Sequence, residues 1–295
     1  MIRGFGPLVA IALATMSSMP GGPLANVRAQ TPTFSSKVEA VRVDVLVAEG
    51  GQPVRGLGAG DFEVFDNGVL QSVDLVSFEQ LPLNVVLTFD LSRSVAGGRL
   101  DHLRDASHAM LDGLRRDDQA ALVVFNSAVS VGRGLTGDMR LVKSSIDWIE
   151  PTGSTSLVDA TFAGMMLAES DVGRSLVMVF SDGRDTASWL EPKAVLSVAQ
   201  QSDAVVYAVS AGQRAADAFL RDVTEQTGGR VFEVGSTASL STVFQQVLDE
   251  FRQRYLLSYS PRGVPAQGWH QIAVRVKNGN ATVRARPGYL AGGSM

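Results

Sequence analysis

The chain has 295 residues, 45% hydrophobic and 19% charged, with a formal net charge of −4 and no cysteine. That length suffices for one large domain with a small one, or for two ordinary ones, with enough apolar residues for a substantial core. The acidic balance leaves no electrostatic footprint for nucleic acid. The absence of thiols excludes a disulfide framework and a lipid-attachment site.

The N-terminus has the form of an export signal over residues 1–29. Arg3 supplies a short positive region, 7–15 is apolar but too short to span a bilayer, and Val27-Arg28-Ala29 precedes Gln30 in the small-x-Ala pattern of cleavage. No other segment is apolar enough to cross a membrane. The expected mature protein is exported, either periplasmic or secreted.

From residue 38 to 79 the hydrophobic period is two, as in Val41-Arg42-Val43-Asp44-Val45, Phe62-Glu63-Val64-Phe65 and the stretch 73–78. Gly50-Gly51-Gln52-Pro53 and Asp66-Asn67-Gly68 punctuate it, the latter a strong hairpin signal. From 81 to 253 strands alternate with helical periods, the pattern of a doubly wound, mostly parallel sheet. Strands are predicted at 83–90, 119–126, 175–180, 204–209 and 230–233, and helices at 100–114, 139–149, 157–168, 192–201, 215–225 and 240–251. Asn126-Ser127-Ala128-Val129 reads as a tight hairpin into an antiparallel edge strand at 131–135.

Beyond 254 the period-two alternation returns at 255–259, 272–276 and 282–285, with Asn278-Gly279-Asn280 as a predicted hairpin turn. Neither flank has strands enough to bury a two-sheet core alone. The expected architecture is therefore an α/β, Rossmann-like domain (81–253) inserted between two halves of a small β-sandwich (30–80 and 254–295). Arg252-Gln253-Arg254 and Arg284-Ala285-Arg286 are expected as surface charges flanking strands.

The residues that carry chemistry stand at the ends of two buried apolar runs. Leu83-Asn84-Val85-Val86-Leu87-Thr88-Phe89 ends in Asp90, followed by Ser92 and Ser94 in an Asp-x-Ser-x-Ser tip. Leu176-Val177-Met178-Val179-Phe180-Ser181 ends in Asp182, and a loop opening the helix at 157 carries Thr155. Open α/β sheets place ligands at the carboxyl ends of their strands. A donor set of oxygens without nitrogen or sulfur suits Mg²⁺, Mn²⁺ or Ca²⁺. Ser92 and Ser94 could instead cap the following helix, and Asp159, in a first helical turn, is expected to complement a helix dipole.

In order and spacing, Asp90, Ser92, Ser94, Thr155 and Asp182 resemble the metal-ion-dependent adhesion site of von Willebrand factor A domains. The phrase Leu57-Gly58-Ala59-Gly60-Asp61-Phe62-Glu63-Val64-Phe65-Asp66-Asn67-Gly68 and the ending Arg286-Pro287-Gly288-Tyr289 look like a bacterial, acidobacterial-type subgroup. Most relatives carry Gly where this chain has Arg93. The resemblance implies that Ser92, Ser94 and Thr155 bind the ion through neutral hydroxyls, with Asp90 and Asp182 often acting through water. It also implies that a carboxylate from a protein partner completes the coordination. In related adhesion domains the last helix moves when the metal site rearranges, and here that helix runs almost directly into the strand at 255.

The expected function is exported, divalent-cation-dependent protein binding in adhesion or assembly, with no reaction catalysed. One alternative is a metal-independent scaffold with a vestigial site. A metal-dependent hydrolase is the other. A phosphatase of the haloacid-dehalogenase type needs a second Asp where Ser92 stands, and a serine hydrolase needs a histidine within reach of its nucleophile. Of the three histidines, His102 and His108 lie on a predicted helix and read as solvated, leaving only His270.

Overall fold

The computed structural model describes residues 40–78, 81–170, 172–212, 215–277 and 281–292. The expected export signal at 1–29 and the turn at Asn278-Gly279-Asn280 lie outside them. The first alternating stretch forms β1 (Val41–Glu49), the two-residue β2 (Gln52–Pro53), β3 (Phe62–Asp66), β4 (Val69–Gln71) and β5 (Leu75–Phe78). Asn67 and Gly68 take φ of 46° and 80° between β3 and β4 and place Asp66 opposite Val69. That is the left-handed pair an Asn-Gly hairpin requires.

There follow β6 (Leu83–Asp90), α1 (Gly98–Asp112), β7 (Gln119–Phe125), β8 (Val129–Thr136), α2 (Met139–Asp147) and α3 (Leu157–Ala168). Then come β9 (Arg174–Ser181), α4 (Pro192–Ala199), β10 (Val205–Ala211), α5 (Ala218–Gln226), β11 (Val231–Val234) and α6 (Leu240–Arg252). The chain ends in β12 (Tyr255–Tyr259), β13 (Gly268–Val276), β14 (Thr282–Arg284) and β15 (Gly288–Ala291).

Six strands form the central sheet in the order β11-β10-β9-β6-β7-β8, parallel except for β8 at one edge. This is the expected α/β, mostly parallel arrangement. All eight residues of β6 are buried. The period of two divides them: Val85, Leu87 and Phe89 pack with α1, α2 and α6, while Val86 packs with α3, α4 and α5 on the other face. The chain leaves β6 toward β7 on one side and reaches β9 on the other. The carboxyl ends of β6 and β9 therefore flank a topological switch point.

The remaining strands make two sheets, β14-β1-β12-β5 with β2 beside β1, and β15-β13-β3-β4. Each sheet mixes strands from before and after the α/β region. Val43 of β1 stands opposite Leu257 of β12, and Val64 of β3 opposite Val274 of β13. Val43, Val45, Phe62, Val64, Tyr255 and Leu257 share one apolar cluster between the sheets. A polar knot is buried there: Asp66 contacts His270 Nδ1 at 2.7 Å and accepts the Tyr259 and Tyr289 hydroxyls, each at 2.9 Å. The strands β13 and β14 belong to different sheets.

Two arginines expected at the surface are buried instead, Arg254 at 0% exposure and Arg286 at 8%. Arg254 donates to the Gly228 carbonyl, and Arg286 donates to the carbonyls of Ser202 at 3.1 Å and Arg42 at 2.6 Å. Arg42 donates to Gly173 O at 2.9 Å. Arg174 pairs with Asp44, donates to Phe251 O at 3.1 Å and lies 4.7 Å from the centre of the Phe251 ring. A guanidinium carries five donors in a rigid fork, so one side chain can satisfy several carbonyls that would otherwise be buried unpaired. Gly173, Ser202 and Gly228 sit just before β9, β10 and β11. The β-sheets are therefore fastened to the amino-terminal edge of the central sheet.

Removing one partner of a buried pair leaves the other charge uncompensated, so Arg174→Ala should cost about 3–5 kcal/mol in urea denaturation. The Asp44→Ala, Arg174→Ala double variant should recover part of that loss. A single-variant cost below about 1 kcal/mol, the range of a solvent-exposed pair, would contradict the clamp.

Candidate metal site

The carboxylate of Asp90 ends β6 in full burial. Its Oδ1 accepts the Ser92 backbone N–H at 2.8 Å, and its Oδ2 accepts the Ser181 hydroxyl at 2.6 Å. These bonds tie the end of β6 to the end of the neighbouring β9. Ser92 Oγ lies 3.0 Å from Ser94 Oγ, and Ser94 Oγ donates to Asp182 Oδ1 at 2.6 Å. Asp90, Ser92, Ser94 and Asp182 are thereby linked residue to residue, Ser92 using its backbone N–H toward Asp90 and its hydroxyl toward Ser94.

Thr155 arrives on the α2–α3 loop, which backbone bonds clasp against the strand ends. Thr152 N–H donates to Leu91 O at 2.7 Å, and Ser156 N–H donates to Asn126 O at 2.8 Å. Gly153 has φ of 76°, and a Cβ there would lie 2.6 Å from Ser127 Oγ, so this clasp needs glycine. Thr155 N–H donates to Thr186 Oγ1 at 3.1 Å, while its carbonyl accepts the N–H groups of Thr186 and Ala187 at 2.9 and 3.1 Å. Its hydroxyl faces Gly183, 3.7 Å from where a Cβ would sit on the residue after Asp182. Three loops thus bring all five sequence-selected side chains to one corner of the sheet.

Helix capping does not account for these hydroxyls. The N-cap of α1 is Gly97, and Ser92 makes no side-chain cap bond to the 3₁₀ turn Arg93–Val95. The first turn of α3 is capped from another loop, Leu157 N–H donating to Asp185 at 2.8 Å and Val158 N–H to Ser188 Oγ at 3.0 Å. Asp159 braces the same loop by accepting the Trp189 and Leu190 N–H groups, each at 2.9 Å. Arg93 needs no glycine-like backbone, since Asn67 is the sole non-glycine with positive φ among the described residues, and its side chain is exposed.

Two members of the site carry no sequence signal. Ser181 looks like one more residue of a strand, and Arg99 like one more charge in the first turn of α1. Arg99 Nη1 lies 2.6 Å from Asp182 Oδ2 and donates to Ser94 O at 3.1 Å. The histidines engage other partners: His102 Nδ1 is 2.9 Å from Thr237 Oγ1, His108 Nε2 is 3.1 Å from Asp147, and His270 belongs to the buried knot with Asp66.

Among the described residues no group of three or more His, Cys, Asp or Glu is placed to hold a metal ion. The Asp90–Asp182 corner offers two carboxylates and three hydroxyls, an all-oxygen set whose chemistry fits a hard dication. Burial pushes the Asp90 carboxyl above the ordinary aspartate range, the bonds from Ser181 and Ser92 pull it part of the way back, and the nearby charge of Asp182 raises it further.

The fold and the sequence together define the class. The chain belongs to the von Willebrand factor type A domain family, whose sequence profile matches residues 84–246. It is 27% identical over 157 residues to inter-alpha-trypsin inhibitor heavy chain H2 of Mus musculus, a match covering 49% of this chain and 17% of that one. The chain therefore spans less than a fifth of the length of that relative. Among solved structures it is similar to proximal thread matrix protein 1 from the mussel byssus with a zinc-occupied MIDAS motif, at 17% identity and a TM-score of 0.53 over 63% of this chain and 49% of that one. It is also similar to a von Willebrand factor type A protein from Catenulispora acidiphila, at 11% identity and a TM-score of 0.52 over 78% and 72% of the two chains. At such identities the likeness is one of fold.

The raised carboxyl of Asp90 makes a signed prediction for EDTA-treated protein. A group whose pKa is higher folded than unfolded favours the folded state most at low pH, and that contribution is lost as pH rises from about 4 through the raised value. The stability of the wild type relative to Asp90→Asn should therefore decline across that window in urea titrations. Parallel pH profiles for the two proteins would refute the assignment.

Proposed function

We propose that this is an exported, divalent-cation-dependent protein-binding module serving adhesion or assembly, and that it catalyses no reaction. Asp90, Ser92, Ser94, Thr155 and Asp182 hold the ion, with Mg²⁺ the first candidate and Mn²⁺ or Ca²⁺ the others. The hydrogen bonds that draw Ser181, Asp90, Ser92, Ser94 and Asp182 together at one corner are the observation that carries this reading. The mussel protein with zinc in its MIDAS motif supports it by analogy of fold.

A dication held mostly by neutral hydroxyls keeps its positive character and favours a further anionic ligand. The partner is accordingly a protein that presents an Asp or Glu side chain at this corner. In this reading residues 81–253 are the von Willebrand factor A domain, 30–80 and 254–295 are halves of one β-sandwich, and 1–29 direct export to the periplasm or beyond. The turn phrases of the flanks support membership of a bacterial subgroup. No helix among the described residues is long and apolar enough to cross a membrane.

Thermal melting tests the ion. At a concentration a hundred times its dissociation constant, Mg²⁺ or Mn²⁺ should add about 2.7 kcal/mol to stability, several degrees in midpoint, and EDTA should reverse the shift. Asp90→Ala should not respond. An equal shift in wild type and Asp90→Ala, or none in either, would favour a metal-independent scaffold.

A further inference from the structure

Resting on the metal reading above, we propose that Arg99 is a resident cation of the site, one that competes with the metal ion and so sets how tightly the ion is held. Asp182 is a proposed ligand whose side chain is 1% exposed, yet both of its carboxylate oxygens are engaged: Oδ1 by the Ser94 hydroxyl at 2.6 Å and Oδ2 by Arg99 Nη1 at 2.6 Å. The same Nη1 donates to the Ser94 carbonyl at 3.1 Å. Arg99 thus grips two of the residues assigned to the ion, with a bond to a charged acceptor, the stronger kind of hydrogen bond.

Two carboxylates lie close together here, and the charge of Asp182 already makes ionisation of Asp90 harder. A counter-cation relieves that repulsion, and Arg99 supplies it from within the chain. A dication drawing on Asp182 offers twice the charge at the same corner, so ion and guanidinium cannot both keep their full interaction with this carboxylate. Arg99 is also free to leave. Its side chain is 50% exposed, and it lines a cavity of about 140 Å³ with Ala211, Gly212, Gly235, Ser236 and Thr237 that can receive the displaced head group.

Mn²⁺ titration followed by electron paramagnetic resonance measures this directly on wild type, Arg99→Ala and Arg99→Gln. Arg99→Gln retains bulk and a donor but no charge, and it stands in should Arg99→Ala fold poorly. Both variants should bind Mn²⁺ about tenfold more tightly than wild type, the size of one charge-assisted bond no longer lost on ion entry. In EDTA, Arg99→Ala should also melt below wild type, since Asp182 then lacks its counter-charge. Mn²⁺ binding by wild type with unchanged affinity in both variants would overturn the competition and leave the metal reading standing. Weaker binding in the variants would overturn it too, by making Arg99 a support of Asp182. No Mn²⁺ binding by any of the three proteins would overturn the competition and the metal reading together.

Discussion

A carboxylate buried at the end of a strand is the constraint from which the site follows. Burying an ionised carboxyl without partners costs several kcal/mol, so Asp90 obliges its surroundings to supply donors. One comes from the backbone of the turn leaving β6 and one from the hydroxyl that ends β9. Satisfying Asp90 fixes the turn, and the turn carries Ser92 and Ser94 to Asp182. The all-oxygen corner is thus the by-product of a folding requirement at a switch point where parallel strands diverge.

The opposite edge of the same sheet is held chiefly by arginines, two of them paired with Asp44 and Asp118. Arg42, Arg174, Arg254 and Arg286 spend their donors on carbonyls that precede β9, β10 and β11 or belong to β1 and α6. At the end of α6, Arg252 donates to Asp118 at 2.8 Å, and Asp118 accepts the N–H of Leu83 at 2.8 Å. The last helix is in this way bonded to the start of β6 and, through Phe251 O and Arg174, to the start of β9. Those are the two strands whose far ends carry Asp90 and Asp182. Any displacement of α6 along its axis must first break these bonds.

Elements governed by local period were readable from sequence. The apolar run over 83–90 reads as a strand buried on both faces, and Asn67-Gly68 as a tight turn. The five candidate site residues were readable through the resemblance of their order and spacing to a known adhesion site. The less legible parts depend on what long side chains meet. Arg254 and Arg286 look like solvated charges, yet each lies over carbonyls contributed by distant segments. Arg99 has no pattern at all, because its meaning comes from Asp182, more than eighty residues away.

The central claim is that three loops converge to hold a hard dication. Anomalous diffraction from crystals of the protein grown with Mn²⁺ tests it most directly. One peak should appear among the side-chain oxygens of Asp90, Ser92, Ser94, Thr155 and Asp182, with the guanidinium of Arg99 turned away from Asp182. A well-ordered map with no peak at that corner, or with Mn²⁺ held only by carboxylates elsewhere on the surface, would contradict the account.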